Sequence, residues 1–278
     1  MDQTDFADAV ARALAEDLGD AGDITSAACV PESARSRAAL VAREPGVVAG
    51  IDVARHVFHS VDPGIEFETA VADGSRVGAG DQLAFVAGPS RSILTAERTA
   101  LNFLGRMSGV ASATARLVDA VVGTGARISD TRKTMPTLRA LDKYAVRMGG
   151  GINHRAGLYD AVMIKDNHLI ATGSIGRAVA AARAAVGPGT MIVIEVTDQV
   201  QLMEALETDA DRVLLDNMTP GQLKAAVQTV GGRMTTEASG GITMENARAV
   251  ADTGVDIISV GWITHSAPQL DIALDFLS

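Results

Sequence analysis

Arg132, Lys133, His154, Arg155 and Lys165 fall close together in the stretch TRKTMPTLRALDKYAVRMGGGINHRAGLYDAVMIKDNH, which runs from Thr131 to His168. The chain around them is acidic, with a formal net charge of -10. Local positive charge in an acidic protein calls for an anionic ligand, and screening over roughly 8 Å at physiological salt insulates a recessed cluster from the exterior. A nucleic-acid binder would carry a basic surface throughout. Aromatic residues make up only 3% of the chain, too few for base-stacking platforms. A small, multiply charged metabolite is the ligand that fits, held by charge rather than by stacking.

These residues stand at regular places in the chain. Beyond Arg127, short β-branched runs (ARISDT, AVMIK, MIVIEV, RVLLD, MTTEAS, DIISVG) alternate with amphipathic stretches (SIGRAVAAARAAV, DQVQLMEALET, TPGQLKAAVQTV, TMENARAVADTG). The runs end at Thr131, Lys165, Glu195, Asp216, Ser239 and Val260, roughly 20 to 35 residues apart, the size of a repeated βα unit. The expected fold is therefore α/β, an open parallel α/β barrel. In such a barrel the carboxyl ends of the strands converge on the catalytic face, and here every end is polar or is followed by glycine.

Glu195 and Asp216 end neighbouring strands with no set of cysteines or histidines beside them. Hard oxygen donors of this kind suit Mg²⁺ shared with substrate phosphates, which keeps several waters and seldom takes an all-protein cage; the plainer alternative is that they balance the local lysines. Ser239-Gly240-Gly241 and Val260-Gly261 each follow a late strand and precede a helix, where backbone N–H groups and a helix N-terminus can receive a phosphate.

Ahead of the barrel the texture differs. Asp5 to Leu18 has helical spacing in Phe6, Val10, Leu14 and Leu18. From Ala34 to Gly88, alternating stretches punctuated by Pro45-Gly46, Asp62-Pro63-Gly64 and Asp73-Gly74 predict a small antiparallel β module. Its glycine-spaced hairpins look like carrier-domain barrels, but no lysine precedes Lys133 to bear a swinging arm. Ser92 to Val122 reads as a helix with Leu94, Leu101, Gly105 and Ser108 on one arc and Arg98 at its edge; taken alone, Arg98 is better explained by a surface salt bridge. The predicted division is an N-terminal α+β domain over 1–109, rejoined by a C-terminal helix over 269–278, and a barrel over 110–268. The acidic start MDQTDFADAV has no apolar signal core, and no run of about 18 apolar residues occurs, so the cytoplasm is the expected compartment, with no membrane and no nucleic acid as partner. The single cysteine, Cys29, excludes an internal disulfide and is expected to be buried packing.

With these residues in place, the chain closely resembles the quinolinate phosphoribosyltransferases. The resemblance runs through EDLGDAGDITS (16–26), TAERTALNFLGRMSG (95–109), TRKTMP, HRAGLYDAVMIKDNH, EASGGI and THSAPQLDIALDF. It implies a reaction of quinolinate with phosphoribosyl pyrophosphate (PRPP) and Mg²⁺ to give nicotinate mononucleotide, CO₂ and pyrophosphate, a step of NAD biosynthesis. It also implies a homodimer, alone or within a hexamer, in which Arg98 is supplied to the neighbouring subunit's barrel; this displaces the salt-bridge reading. Arg132, Arg155 and Lys165, with His154 nearby, are expected to hold quinolinate. Lys133, in the loop begun by Thr131, would hold pyrophosphate. Glu195 and Asp216 would place Mg²⁺ or the ribose hydroxyls, and Ser239, Gly240, Gly241, Val260, Gly261 and His265 would surround the 5′-phosphate. Lys165 is also the candidate to stabilise charge near C2 as the carboxylate leaves.

One departure from the family pattern is Trp262, the only tryptophan, where a small residue is usual; it either packs against the phosphate loop or reshapes the phosphate site. Two other activities remain open at this point. A transferase acting on a pyridine monocarboxylate is disfavoured by the number of cations. A catalytically silent phosphate-binding barrel is disfavoured by the intact Lys133, Glu195 and Asp216.

Overall fold

Apolar β-branched runs bounded by polar residues and glycine make short strands, and the i, i+3, i+4 stretches between them make helices. The computed structural model describes residues 3–277. A 3-10 turn at Gln3–Asp5 leads into α1 (Ala7–Leu18) and α2 (Ile24–Cys29), followed by β1 (Arg35–Ala42), β2 (Gly46–Val47), α3 (Ile51–Val61), β3 (Glu66–Thr69), β4 (Arg76–Val77), β5 (Gln82–Pro89) and α4 (Ser90–Ala120). Alternation then sets in with β6 (Arg127–Ser129), α5 (Arg139–Met148), β7 (Val162–Ile164), α6 (Asp166–Thr172), α7 (Ile175–Val186), β8 (Ile192–Val196) and α8 (Gln199–Ala205). It continues through β9 (Arg212–Asp216), α9 (Pro220–Val230), β10 (Thr235–Ser239), α10 (Ala247–Ala251), β11 (Ile257–Ser259), α11 (Trp262–His265) and β12 (Ile272–Leu277). No single helix among the described residues is long and apolar enough to cross a membrane.

The chain divides into two units. The first comprises the residues up to Ala115, with Thr134–Gly150 and the residues from Ile263 onward; the second comprises Arg116–Lys133 and Gly151–Trp262. In the first unit an antiparallel sheet runs in the order β12-β1-β5-β3. β1 is interior and fully apolar in its second half, Ala38 to Ala42, and pairs Leu40 with Leu274 of β12 and with Ala84 of β5. Ile51, Val53, Ala54, Val57 and Phe58 of α3 are buried in the same unit. Asp73 accepts the Gly50 and Ile51 N–H groups at 2.9 and 3.1 Å, closing the amino end of that helix.

Three expectations are corrected here. The C-terminal segment is the strand β12 rather than a helix over 269–278: Ile272 and Leu274 are buried while Asp271, Ala273 and Asp275 are more open, a period of two over this stretch, and the strand fills the open side of β1. The 34–88 stretch is not all β, since α3 lies inside it with helical burial at i, i+3 and i+4. Cys29 is exposed, because α2 has only six residues and buries only Ser26. The two units part within α4, at Ala115, and Val110, Ala111 and Ala113 of that helix are buried.

In the second unit the six strands form one parallel sheet in the order β6-β11-β10-β9-β8-β7. That is chain order wrapped round a cylinder with its seam between β6 and β7, an open barrel. Ile152 lies at the β6 side of the seam, taking an N–H bond from Asp130 and giving one to Ile128 at 3.2 and 2.8 Å. Val193, Val213 and Ile258 are fully buried, which is why these strands read as continuous apolar runs.

Candidate active site

Strand alternation selects the side chains that meet inside the barrel. Met163, Glu195, Leu214, Asp216, Glu237, Ser239 and Ser259 recur at matching positions of β7 to β11 and line a cavity of 440 Å³. Its wall continues through Thr131, Arg132, Lys133, His154, Arg155, Lys165, Asn217, Gly240 and Gly241. Ser239 pairs with Asp216, while Glu195 pairs with Leu214, one step of alternation before Asp216 on the same face. All of these residues belong to the second unit; Asp216, Ser239 and Ser259 stand at the carboxyl ends of its strands and Lys165 directly beyond one.

Eleven of the expected site residues, Thr131, Arg132, Lys133, His154, Arg155, Lys165, Glu195, Asp216, Ser239, Gly240 and Gly241, therefore line one cavity. Val260 and Gly261 do not line it. Val260 is buried and its N–H is given to Ser129 O at 2.9 Å. Arg98 and His265 are not lining residues either. Arg98 is exposed on α4, and His265 is exposed with Nδ1 2.6 Å from Ser266 Oγ. Asn217, Glu237 and Ser259 went unnoticed in the sequence although they line the cavity, and the period-two relation of Glu237 to Ser239 was the available signal.

The basic wall is supported from behind. Asp130, fully buried, accepts the His154 N–H at 2.7 Å and Asn153 Nδ2 at 2.6 Å. Asp160 turns the following loop by accepting the Ala156 and Gly157 N–H groups at 2.6 and 2.9 Å. Arg155 donates through Nη1 to Ala161 O at 3.0 Å. Burial, and secondarily the neighbouring Arg132 guanidinium, pull the Arg155 guanidinium below its ordinary value, opposed by Asp160. Two like charges held side by side in a partly dry wall favour the binding of an anion. Across the cavity Lys165 Nζ lies 2.6 Å from Glu195 Oε2.

The turns after β9 and β10 interlock. Asn217, with a left-handed φ of 55°, donates its N–H to Ser239 O at 2.9 Å and its Nδ2 to Asp216 Oδ2 at 2.7 Å. Gly240 has φ 92°, and a Cβ there would overlap the Asn217 side-chain amide. Trp262 resolves to the packing alternative: its indole is not part of the cavity wall, and Nε1 donates to Ile242 O at 3.1 Å, just past the glycine turn. Trp262→Phe, which keeps the ring and loses that donor, is expected to raise the KM for PRPP about three- to tenfold, the worth of one ordinary hydrogen bond. The KM for the second substrate should stay unchanged in steady-state assays; equal changes in both would dissociate Trp262 from the turn.

A parallel barrel whose strand ends combine four cations, two carboxylates and a glycine turn defines a transferase of the kind that handles phosphorylated, multiply anionic substrates. The chain belongs to the quinolinate phosphoribosyl transferase family: its N-terminal domain model matches residues 23–108 and its C-terminal domain model residues 110–275. It is similar to the nicotinate-nucleotide pyrophosphorylase [carboxylating] of Mycobacterium leprae, with 48% identity over 273 residues covering 96% of each chain. It is also similar to the quinolinate phosphoribosyltransferase [decarboxylating] 1b of Nicotiana tabacum, with 41% identity covering 94% of this chain and 79% of that one. The solved nicotinate-nucleotide pyrophosphorylase from Francisella tularensis superposes with a TM-score of 0.96 at 38% identity, covering 100% of this chain and 98% of the other.

Proposed function

We propose that the chain transfers the phosphoribosyl group of PRPP to quinolinate and releases CO₂ and pyrophosphate, giving nicotinate mononucleotide in NAD biosynthesis. The observation that carries this reading is the single cavity in which Arg132, Lys133, Arg155 and Lys165 face Glu195, Asp216 and the Ser239-Gly240-Gly241 turn. A monocarboxylate would leave part of that positive wall unmatched, whereas quinolinate carries two adjacent carboxylates.

Arg132, Arg155 and Lys165 receive the pyridine dicarboxylate, the guanidiniums by paired N–H donors. Lys133 faces the pyrophosphate, and the glycine turn takes the 5′-phosphate on its backbone N–H groups. Val260, Gly261 and His265 complete this region only in the family reading. The ring nitrogen attacks C1 of the ribose as the C1–O bond to pyrophosphate breaks, a step governed by positioning and electrostatics. The ribosylated pyridinium then accepts the electron pair of the C2–carboxylate bond as CO₂ leaves, and C2 takes up a proton. Lys165 is the cation assigned to the charge near C2.

Mg²⁺ fits this donor set on one condition. Among the described residues no group of three or more His, Cys, Asp or Glu side chains is arranged to hold an ion, but Glu195 and Asp216 at adjacent strand ends suit an ion that takes its other ligands from phosphate and water. Glu195 and Asp216 would hold it, and bound there it would neutralise charge on the leaving pyrophosphate.

We further infer a cytoplasmic homodimer with a shared site. Arg98 is exposed on α4, and Leu158 and Tyr159, directly beyond Arg155, are 73% and 85% exposed, an apolar rim suited to cover by a second copy.

Product formation with PRPP and Mg²⁺ tests the reading, comparing quinolinate with nicotinate and following pyrophosphate and CO₂ together. Equimolar release with quinolinate alone is expected. Pyrophosphate without CO₂, or turnover of nicotinate alone, would establish the non-decarboxylating activity in its place, and tight PRPP binding without turnover would mark a silent barrel.

A further inference from the structure

Glu237 is fully buried in the middle of β10, and its carboxylate forms part of the cavity wall. None of the binding roles above uses it. Arg212 of β9 donates to Oε2 at 2.9 Å, and Ser259 of β11 donates its hydroxyl to Oε1. The same Oε1 lies 3.6 Å from Nε2 of His154. A buried ion pair is a weak source of stability, since apolar residues of similar volume often serve as well or better. A carboxylate kept at the base of an anion site needs another explanation, and His154 supplies one.

The imidazole Nδ1 of His154 accepts the Arg155 backbone N–H at 2.7 Å. A nitrogen that accepts carries no proton, so the neutral ring bears its proton on Nε2, the atom turned toward Glu237. His154 itself is held at its backbone N–H by Asp130 at 2.7 Å. The segment that carries Arg155 is thus held by hydrogen bonds to the buried Asp130 through the main chain, and its imidazole faces a second buried carboxylate, Glu237, across 3.6 Å, an electrostatic contact longer than a hydrogen bond. In this geometry His154 is not one of the cations of the wall. Its ring carries the constraint from β10 to the Arg155 backbone, as partners behind a ligating histidine do in metal sites.

We propose that Glu237 is a positioning residue of the quinolinate site: it fixes His154 as the neutral Nε2–H tautomer and, through Nδ1, fixes the Arg155 main chain from which the guanidinium is aimed. The proposal rests on the quinolinate reading for its substrate and on the fold alone for its tautomer, so the two are tested separately.

The test is the double variant Glu237→Met/Arg212→Met, which removes both buried charges together and avoids leaving either one unpaired. In ¹⁵N NMR of the wild-type protein, signals assigned to His154 by their loss in His154→Gln are expected to show the Nε2–H tautomer, and the double variant is expected to lose that pattern. In steady-state kinetics the KM for quinolinate should rise about tenfold, as for one mis-aimed charge-assisted bond, with the KM for PRPP within about twofold of wild type. An unaltered His154 spectrum, a protonated or Nδ1–H ring in the wild type, or equal changes in both KM values would overturn the proposal. Ser259→Ala keeps it falsifiable should the double variant not fold: both charges stay, one bond to Oε1 is lost, and the KM for quinolinate alone should rise about two- to threefold; no rise would count against Glu237. Failure of the wild-type protein to turn over quinolinate would sink the substrate reading and leave the NMR result to decide the tautomer.

Discussion

Arg98→Ala and Lys165→Ala proteins are each expected to be nearly inactive, while refolding them together in equal amounts should return about one quarter of the wild-type activity. The fraction follows from symmetry. Random pairing makes half of the dimers hybrids, and each hybrid has one of its two sites assembled from unmutated partners. Removing Lys165 deletes a cation of the cavity wall and leaves Glu195, its 2.6 Å partner, to repel anionic substrate. Removing Arg98 changes nothing in the wall of this chain, since Arg98 does not line it. Activity lost in the second variant and restored in the mixture would place that guanidinium in the neighbour's site. Mixtures shown by native mass spectrometry to contain hybrids, yet inactive, would end the shared-site model; the same spectra distinguish a dimer from a hexamer.

Gly240→Ala should lower kcat/KM for PRPP by more than about a hundredfold, the scale set by small misplacements of reacting groups. One methyl group has this reach because of its surroundings. At φ 92° the backbone is strained for any L side chain, and the new Cβ would lie 3.0 Å from the Asn217 nitrogen and overlap its side chain. Asn217 cannot retreat alone, since it is bonded both to Ser239 O and to the Asp216 carboxylate. The substitution therefore shifts the phosphate turn and the adjacent carboxylate together. The turn lies beyond the end of β10, and thermal unfolding should move by no more than about 4 °C, the worth of roughly 1 to 2 kcal/mol in a chain of this size. Loss of activity with a large fall in Tm would mean that the glycine serves the fold instead.

The polar strand ends were legible because Glu195 and Asp216 each interrupt an apolar run, where a charge is costly unless it faces a cavity, and because Ser239 is followed by two glycines. Glu237 was hidden by its position within MTTEAS, where nothing marks which face of the strand is inside; only the register with β9 and β11 does that. α3 escaped notice because the glycine and proline signals flanking IDVARHVFHSV drew the whole stretch into a hairpin pattern, although Val53, Ala54, Val57 and Phe58 have helical spacing. The C-terminal segment is short enough for either period to fit, and the vacant side of β1, a tertiary fact, decides for strand. Arg98 and His265 entered the site through family resemblance and not through any property of their neighbours.

The position of β12 has a consequence for the order in which the protein is made. β1 precedes the barrel in the chain and finds β5 soon after it is made, but the partner on its other side, Ile272 to Leu277, is translated only after all six barrel strands. Throughout synthesis of the barrel, the nascent first unit exposes an apolar strand with one row of unpaired backbone groups, a template for pairing with another nascent chain. Arg35 and Arg37 at the open start of β1 are charges of the type that discourage such encounters. Premature termination before residue 272 would make the exposure permanent, so that truncated chains are expected to aggregate even where the barrel itself is complete.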